Sequence, residues 1–214
     1  MFRSLFRKTK ASQVPEILGL TIGRTITIDP VEMKLLPDDT LIAAPQTTLM
    51  ICAQGHCDLG EQSHLHRFYP DDDQYLIQIQ GGDGANDTRV DELMLWYVYD
   101  AHYPSRDSDW AKISKAIGQP QFKLDTPQGP VEFDRVWFDH TTGAEDPMTY
   151  WEDVREDRQD STPRRIFQTA MLYARTLSDG RDEMLLVNME EPENSERCIS
   201  YLIGRAVPEH SIST

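Results

Sequence analysis

The chain reads as a mainly β protein, a β-rich α+β fold built as an antiparallel, two-sheet sandwich-like arrangement. Three observations predict it. Residues 74–80 alternate in their second half, with Tyr75, Ile77 and Ile79 on one face and Gln78 and Gln80 on the other, the period of a strand buried on one side. Residues 90–100 are apolar on both faces, Leu93, Leu95, Tyr97 and Tyr99 against Met94, Trp96 and Val98, which marks a long strand covered on both sides. A three-turn helix is the competing reading of that segment. Beyond residue 120 short strand-like runs again alternate with Gly, Pro and acidic turns.

Taken in order, the chain opens on a basic arm, residues 1–14, with Arg3, Arg7, Lys8 and Lys10 beside Phe2, Leu5 and Phe6. It reads as a mobile tail, since so short an isolated helix is marginal in water, with weak contact to an anionic membrane surface as the alternative. Residues 15–208 form one β-rich domain, with two similar halves, about 15–120 and 121–208, as the alternative. Residues 25–28 alternate as a strand. Asp29-Pro30-Val31-Glu32 then starts a short helix near 30–36, with Asp as cap, Pro at the first helical position and Glu placed for a capping box. Residues 41–44 suggest a weak strand and 48–53 a stronger one, with Gly55 opening a turn.

Residues 63–69 form a further strand, and Pro70 with Asp71, Asp72 and Asp73 makes the turn into 74–80. Residues 81–87 are a glycine-rich loop. The clearest helix lies near 107–117: Trp110, Ile113 and Ile117 share a stripe, acids open it, Lys112 and Lys115 lie near its end and Gly118 ends it. Strands follow at 121–124, 131–138 and 149–155. Residues 164–177 carry both a helical stripe and a strand alternation. The strand is preferred because Ser178-Asp179-Gly180 turns into another at 183–189. Residues 190–196 read as an acidic loop and 197–207 as the last strand, before a short tail. The order strand, acidic turn, strand, acidic loop, strand occurs in 63–100 and again in 165–207, which suggests an internal duplication without a residue-level repeat.

The 214 residues carry a net charge of −15, and the four bases of the first ten residues leave −19 on the rest. Nucleic acid and anionic membrane would repel such a body, and a basic protein surface is its natural partner. Solubility alone is the other reason for the charge. Three cysteines make no disulfide framework, and no apolar run suffices to span a bilayer or serve as a signal peptide, so the expected location is cytoplasmic.

Residues 52–66 gather Cys52, His56, Cys57, Asp58, His64 and His66. Sulfur and imidazole ligands at this density suit zinc, with His64, His66 and Cys57 the candidate metal ligands. The spacing matches no standard zinc motif, and buried cysteines with exposed histidines are the simpler reading. Asp71, Asp72 and Asp73 with Asp83 and Asp87 suggest calcium, but the acids lack the alternation of an EF-hand. A solvated hairpin tip, and a partner-binding role for Asp71, Asp72 and Asp73, fit better. The glycine-rich loop has no phosphate-binding lysine, and no nucleophile elbow or metalloprotease motif is present.

Arg67-Phe68-Tyr69, Asp71-Asp72-Asp73 and Tyr75-Leu76-Ile77-Gln78 resemble the signature of the YjfK-like family of uncharacterised bacterial proteins. The resemblance extends over most of the chain after residue 15, taking in Asp29-Pro30, the segment from Tyr103-Pro104 to Trp110, and Met171-Leu172-Tyr173-Ala174-Arg175. It implies no activity and no catalytic residues. It does imply a genomic setting beside phage-shock-type membrane-remodelling proteins, small membrane proteins and a ligase of the glutathionylspermidine type. The function expected is a non-catalytic protein-binding module with acidic surfaces, tied to membrane or envelope stress through a membrane-remodelling partner. The alternative is a metal-dependent enzyme or small-ligand binder using residues 52–66 or a cleft between sheets.

Overall fold

The structure, a computed structural model, describes residues 14–45, 48–81 and 90–214. The basic arm up to Gln13 and most of the glycine-rich loop, with Asp83 and Asp87, lie outside the described residues. The strands are β1 (Thr25–Ile28), β2 (Thr48–Asp58), β3 (His64–Pro70), β4 (Tyr75–Gln80), β5 (Glu92–His102), β6 (Gln121–Leu124), β7 (Val131–Arg135), β8 (Met148–Arg155), β9 (Arg164–Thr176), β10 (Asp182–Pro192), β11 (Cys198–Ala206) and β12 (Ile212–Ser213). The helices are α1 (Pro30–Lys34) and α2 (Asp107–Ala116).

The sheet closes on itself. The order β2-β3-β4-β5-β11-β10-β9-β8 returns to β2, antiparallel throughout, and gives an eight-stranded barrel where a two-sheet sandwich was expected. The closing strand is β8. One edge pairs Glu152 with Ile166 on β9, and the other pairs Gly55 on β2 with Val154. Closure satisfies edge N–H and C=O groups that a sandwich leaves open. Alternation along a strand specifies a buried face but not which edges meet. The barrel is two four-stranded meanders, β2–β5 and β8–β11, joined at β5–β11 and at β8–β2. Because the strands are antiparallel, the turns after β3, β8 and β10 lie at one end and those after β2 and β9 at the other.

Residues 90–100 and 164–177 are strands, and β5 is covered on both sides as its composition predicts. Its outward Leu93 and Leu95 join Phe68, Ile77 and Ile79 in a core under β1, the start of β2 and the segment holding Ile17 and Leu20. A second outer core, on β9–β11, packs Met171, Tyr173, Leu185 and Val187 under α2 and the β6–β7 hairpin, with Phe122 and Phe133. In α2, Trp110 and Ile113 face this core, and the buried Ile117 follows. In α1 the Asp29 carboxylate accepts from the Val31 N–H at 2.8 Å, while Glu32 turns to Arg205 at 3.5 Å instead of closing a capping box.

Four local expectations are corrected. Gly55 does not open a turn: it is paired with Arg67 and Val154 on either side and β2 runs on to Asp58, the glycine being there because a side chain would collide with the Glu152 carboxylate. The turn falls after Asp58, where Gly60, Glu61 and Gln62 have positive φ. Residues 41–44 are not a strand. Their backbone is held by a buried side chain, Glu183, whose Oε1 accepts from the Leu41 N–H at 2.8 Å and the Thr40 hydroxyl at 2.6 Å. The acidic residues 190–192 extend β10, where Glu190 and Pro192 pair with Gln168 and Ile166. The C-terminal tail adds β12, whose Ile212 pairs with Ile28.

Candidate functional site

The inward positions of the barrel strands are apolar near one end and polar at the waist. Alternation puts Leu65, Arg67 and Tyr69 of β3 inside, and Leu76 and Gln78 of β4 beside them. From β8 come Tyr150 and Glu152, and from β9 to β11 come Gln168, Asn188, Glu190 and Ser200. At the centre, Arg67 and Glu152 form an ion pair, Nη1 to Oε2 at 2.9 Å, with side chains 3% and 0% exposed. Arg67 Nη2 donates to the Tyr150 hydroxyl at 2.8 Å and Nε to Gln78 Oε1 at 3.1 Å. Glu152 also accepts from the Tyr69 hydroxyl at 2.6 Å and from Gln168 Nε2 at 2.7 Å. Gln168 Oε1 accepts from Asn188 Nδ2 at 2.8 Å, and Asn188 Nδ2 reaches Glu190 Oε1 at 2.9 Å. The network runs round the lumen through six strands, β3, β4 and β8–β11. Gly55 makes the room that Glu152 occupies.

The electrostatics follow from enclosure. Burial works against the Arg67 charge, but Tyr150 and Glu152 outweigh it and hold its pKa above the ordinary guanidinium value. Burial, then the Glu152 charge, pushes the Tyr69 hydroxyl well up, and burial takes Tyr150 to about 12. The Cys57 thiol, also inside, is pushed to about 12 by burial and Glu152. Arg67, Tyr69 and Tyr150 therefore keep their protons at neutral pH and serve as fixed donors, and Cys57 stays a thiol. The Glu190 carboxyl is raised above its ordinary value by burial and then by the Glu152 charge.

Arg67 separates two chambers. The larger, about 360 Å³, lies toward the end that carries the β2–β3 turn. Its wall is apolar: Leu65, Met94, Trp96, Trp137, Leu172, Leu186. Its floor is Arg67, Gln78 and Tyr150, and Glu61 and Glu92 stand at its rim. Trp96 lies against Gly204, where any Cβ would meet the ring, and its Nε1 has no hydrogen-bond partner among the described residues. The smaller chamber, about 190 Å³, opens at the opposite end between Asp73, Ala101 and Cys198, with Glu190 and Asn188 in its wall.

The residues singled out as metal ligands divide between the two faces of β2 and β3. Cys57 points into the lumen, while His64 and His66 point outward and meet His56. His56 stacks on both, at 5.2 and 5.1 Å between ring centres, and its Nε2 lies 3.1 Å from His64 Nδ1. Burial and then His64 lower the His56 pKa. Among the described residues no group of three or more His, Cys, Asp or Glu side chains is placed to hold a metal ion. Asp71 ties the turn to β2, accepting from the Met50 N–H at 2.8 Å, and Asp72 caps its own turn, accepting from the Gln74 N–H at 3.0 Å. This turn shares its end of the barrel with the acidic turns after β8 and β10.

The waist was not identified from the sequence. Its signal is a polar residue in the middle of an otherwise apolar inward series: Gln168 before Ala170 and Leu172, Asn188 after Leu186, Ser200 before Leu202. Arg67, Tyr69 and Gln78, quoted above for a family resemblance, all belong to it.

Among the described residues no helix is long and apolar enough to cross a membrane. No solved structure matches the chain. It is 27% identical over 208 residues to "Uncharacterized protein YjfK" of Escherichia coli (strain K12), covering 96% of this chain and 92% of that protein. The family described as "Protein of unknown function (DUF2491)" matches residues 1–213, and the chain belongs to this family of YjfK-like proteins.

Proposed function

We propose that the protein is a small-ligand binder whose larger chamber takes an apolar molecule with one neutral, hydrogen-bonding end. The observation that carries this is the chamber itself, an apolar wall over a polar floor inside a closed eight-stranded barrel. Barrels of this size either fill their interior with side chains or hold one small ligand, and a ligand site is mostly apolar with a few placed polar groups. The polarity of the ligand's end follows from the floor. Arg67 is already matched by Glu152, and the rim carries Glu61 and Glu92, so an alcohol or amide suits the site better than a carboxylate.

Trp96 and Trp137 report directly. Titration with a medium-chain alcohol should change tryptophan fluorescence saturably, the corresponding fatty acid should bind more weakly, and Leu186→Trp should block both. No saturable change with any chain length, or equal binding by Leu186→Trp, would sink the reading.

A second reading rests on the acidic turns. Asp71, Asp72 and Asp73 share one barrel end with Glu156, Asp157, Asp160, Glu193 and Glu196. A single negative end suits docking to a basic surface of a cytoplasmic, membrane-remodelling partner, with association fast at low salt and slowed by screening. Replacing the three aspartates with Asn should lower the association rate for a captured partner and its salt dependence. Unchanged values would end this idea.

A further inference from the structure

We propose that the smaller chamber is a binding site for a short primary amine, held as its ammonium ion by the Glu190 carboxylate. Of the two Glu190 oxygens, Oε1 accepts from Asn188 Nδ2 at 2.9 Å and from the Ser200 hydroxyl at 3.5 Å. Both of these donors fall on the same oxygen, and Glu190 lines the chamber. Asn188, 2% exposed, also lines it, and its Oδ1 is a buried acceptor without a donor among the described residues. A buried acceptor left unmatched is costly, so the wall calls for a ligand that donates. An ammonium carries three donors and no acceptor, which matches a wall of oxygens.

Charge points the same way. The one cation in the chamber wall, Arg67, is committed to Glu152, Tyr150 and Gln78. The mouth opens at the acidic end of the barrel, beside Asp73. Of the arginines at that end, Arg155 reaches the Asp160 carbonyl at 3.2 Å, Arg165 pairs with Asp153 at 3.2 Å and Arg197 with Asp107 at 2.6 Å, while Arg164 lies near enough to Glu190 to favour its ionised form. The rest of the wall, Leu76, Val98 and Leu202, is apolar and gives an alkyl chain its contact. At about 190 Å³ the space holds a short chain and excludes a bulky one. The groups that set the Glu190 charge are Glu152 on β8, Arg67 and Tyr69 on β3, Arg164 on β9 and Cys198 on β11. Burial and Glu152 favour its protonated form, and a bound ammonium favours the ionised one, so the amine binds with release of a proton and more tightly as pH rises.

The test uses n-butylamine as the probe, followed by the side-chain amide signals of Asn188 and Gln168 in nuclear magnetic resonance. The full chain should show saturable shifts of both, and 1-butanol, similar in size but uncharged, should not displace the amine. Glu190→Gln keeps the shape and the Asn188 contact and should weaken binding at least about tenfold. Ala101→Phe, at the mouth, should block entry with Glu190 intact, so the proposal stays testable if either variant folds poorly. Neither variant should alter alcohol binding in the larger chamber, which separates failure here from failure of that reading. No saturable shift, full affinity in Glu190→Gln, or equal competition by butanol would each overturn the site.

Discussion

Replacing Glu152 with Gln tests whether the lumen is held by a true buried ion pair. The substitution keeps the volume and removes the charge. Glu152 now accepts three hydrogen bonds, from Arg67, Tyr69 and Gln168, on its two oxygens. A glutamine offers one acceptor oxygen and turns an NH₂ toward donors, so at least one donor loses its partner and Arg67, 2% exposed, keeps a charge with no counter-charge. Breaking a buried pair from one side costs about 3–5 kcal/mol, and a chain of this size loses about 2–4 °C of Tm per kcal/mol, so the expected fall is roughly 6–20 °C. The assay is thermal and urea unfolding of wild type, Glu152→Gln, Arg67→Met and the double variant Arg67→Met with Glu152→Leu. The double variant should recover much of the loss, because an apolar pair of similar volume carries no desolvation cost. A drop in Tm below about 3 °C for Glu152→Gln, or additive losses in the double variant, would refute the argument and leave the waist as ordinary packing.

Three further outcomes are expected. Gly55→Ala drives a methyl group into the Glu152 carboxylate and should destabilise by about 1–3 kcal/mol in urea unfolding, with little further effect in a Glu152→Ala background. Glu190 has a raised pKa in the folded chain, so its contribution to stability is fully present below the ordinary glutamate value of 4.5 and is lost as pH rises through its raised value. Glu190→Gln should accordingly melt higher than wild type near neutral pH, and the gap should shrink toward pH 4.5; a pH-independent gap would contradict this. With a thiol reagent, exposed Cys52 should react at once, half-buried Cys198, raised to about 11, more slowly, and buried Cys57, raised to about 12, only on unfolding.

Much of the fold was legible in single segments. The two-sided apolar pattern of β5 reflects a real double burial, between the lumen and the outer cores. Asp29 and the Trp110, Ile113, Ile117 stripe placed both helices, because caps and stripes act within a few residues. What was not legible depends on partners distant in sequence. Gly55 looks like a turn until Glu152 is set against it, 97 positions later in the chain. Residues 41–44 look like a strand until Glu183 is seen to replace the neighbouring strand. Closure depends on β8 pairing on both sides, and nothing in the alternation of residues 148–155 distinguishes a central strand from an edge.

The candidate site was hidden for a related reason. A polar residue at an inward position resembles a strand's solvent face, so the sequence pattern puts Gln78 and Gln80 on the exposed side of β4, whereas β4 is covered on both sides and Gln78 faces Arg67. The outward side chains Tyr75, Ile77 and Ile79 are buried instead by β1 and the segment before it. Once the barrel is closed, the same residues acquire the opposite meaning. Polar side chains on six strands then converge on one enclosed layer, where each must be matched; the chamber walls carry two buried polar atoms without a hydrogen-bond partner among the described residues, Trp96 Nε1 and Asn188 Oδ1. A waist serving stability alone has no need of those two atoms, since Leu at either position would fill the wall without a desolvation cost. They stand one in each chamber wall, a donor in the larger and an acceptor in the smaller, so the larger chamber offers its ligand a donor and the smaller asks its ligand for one.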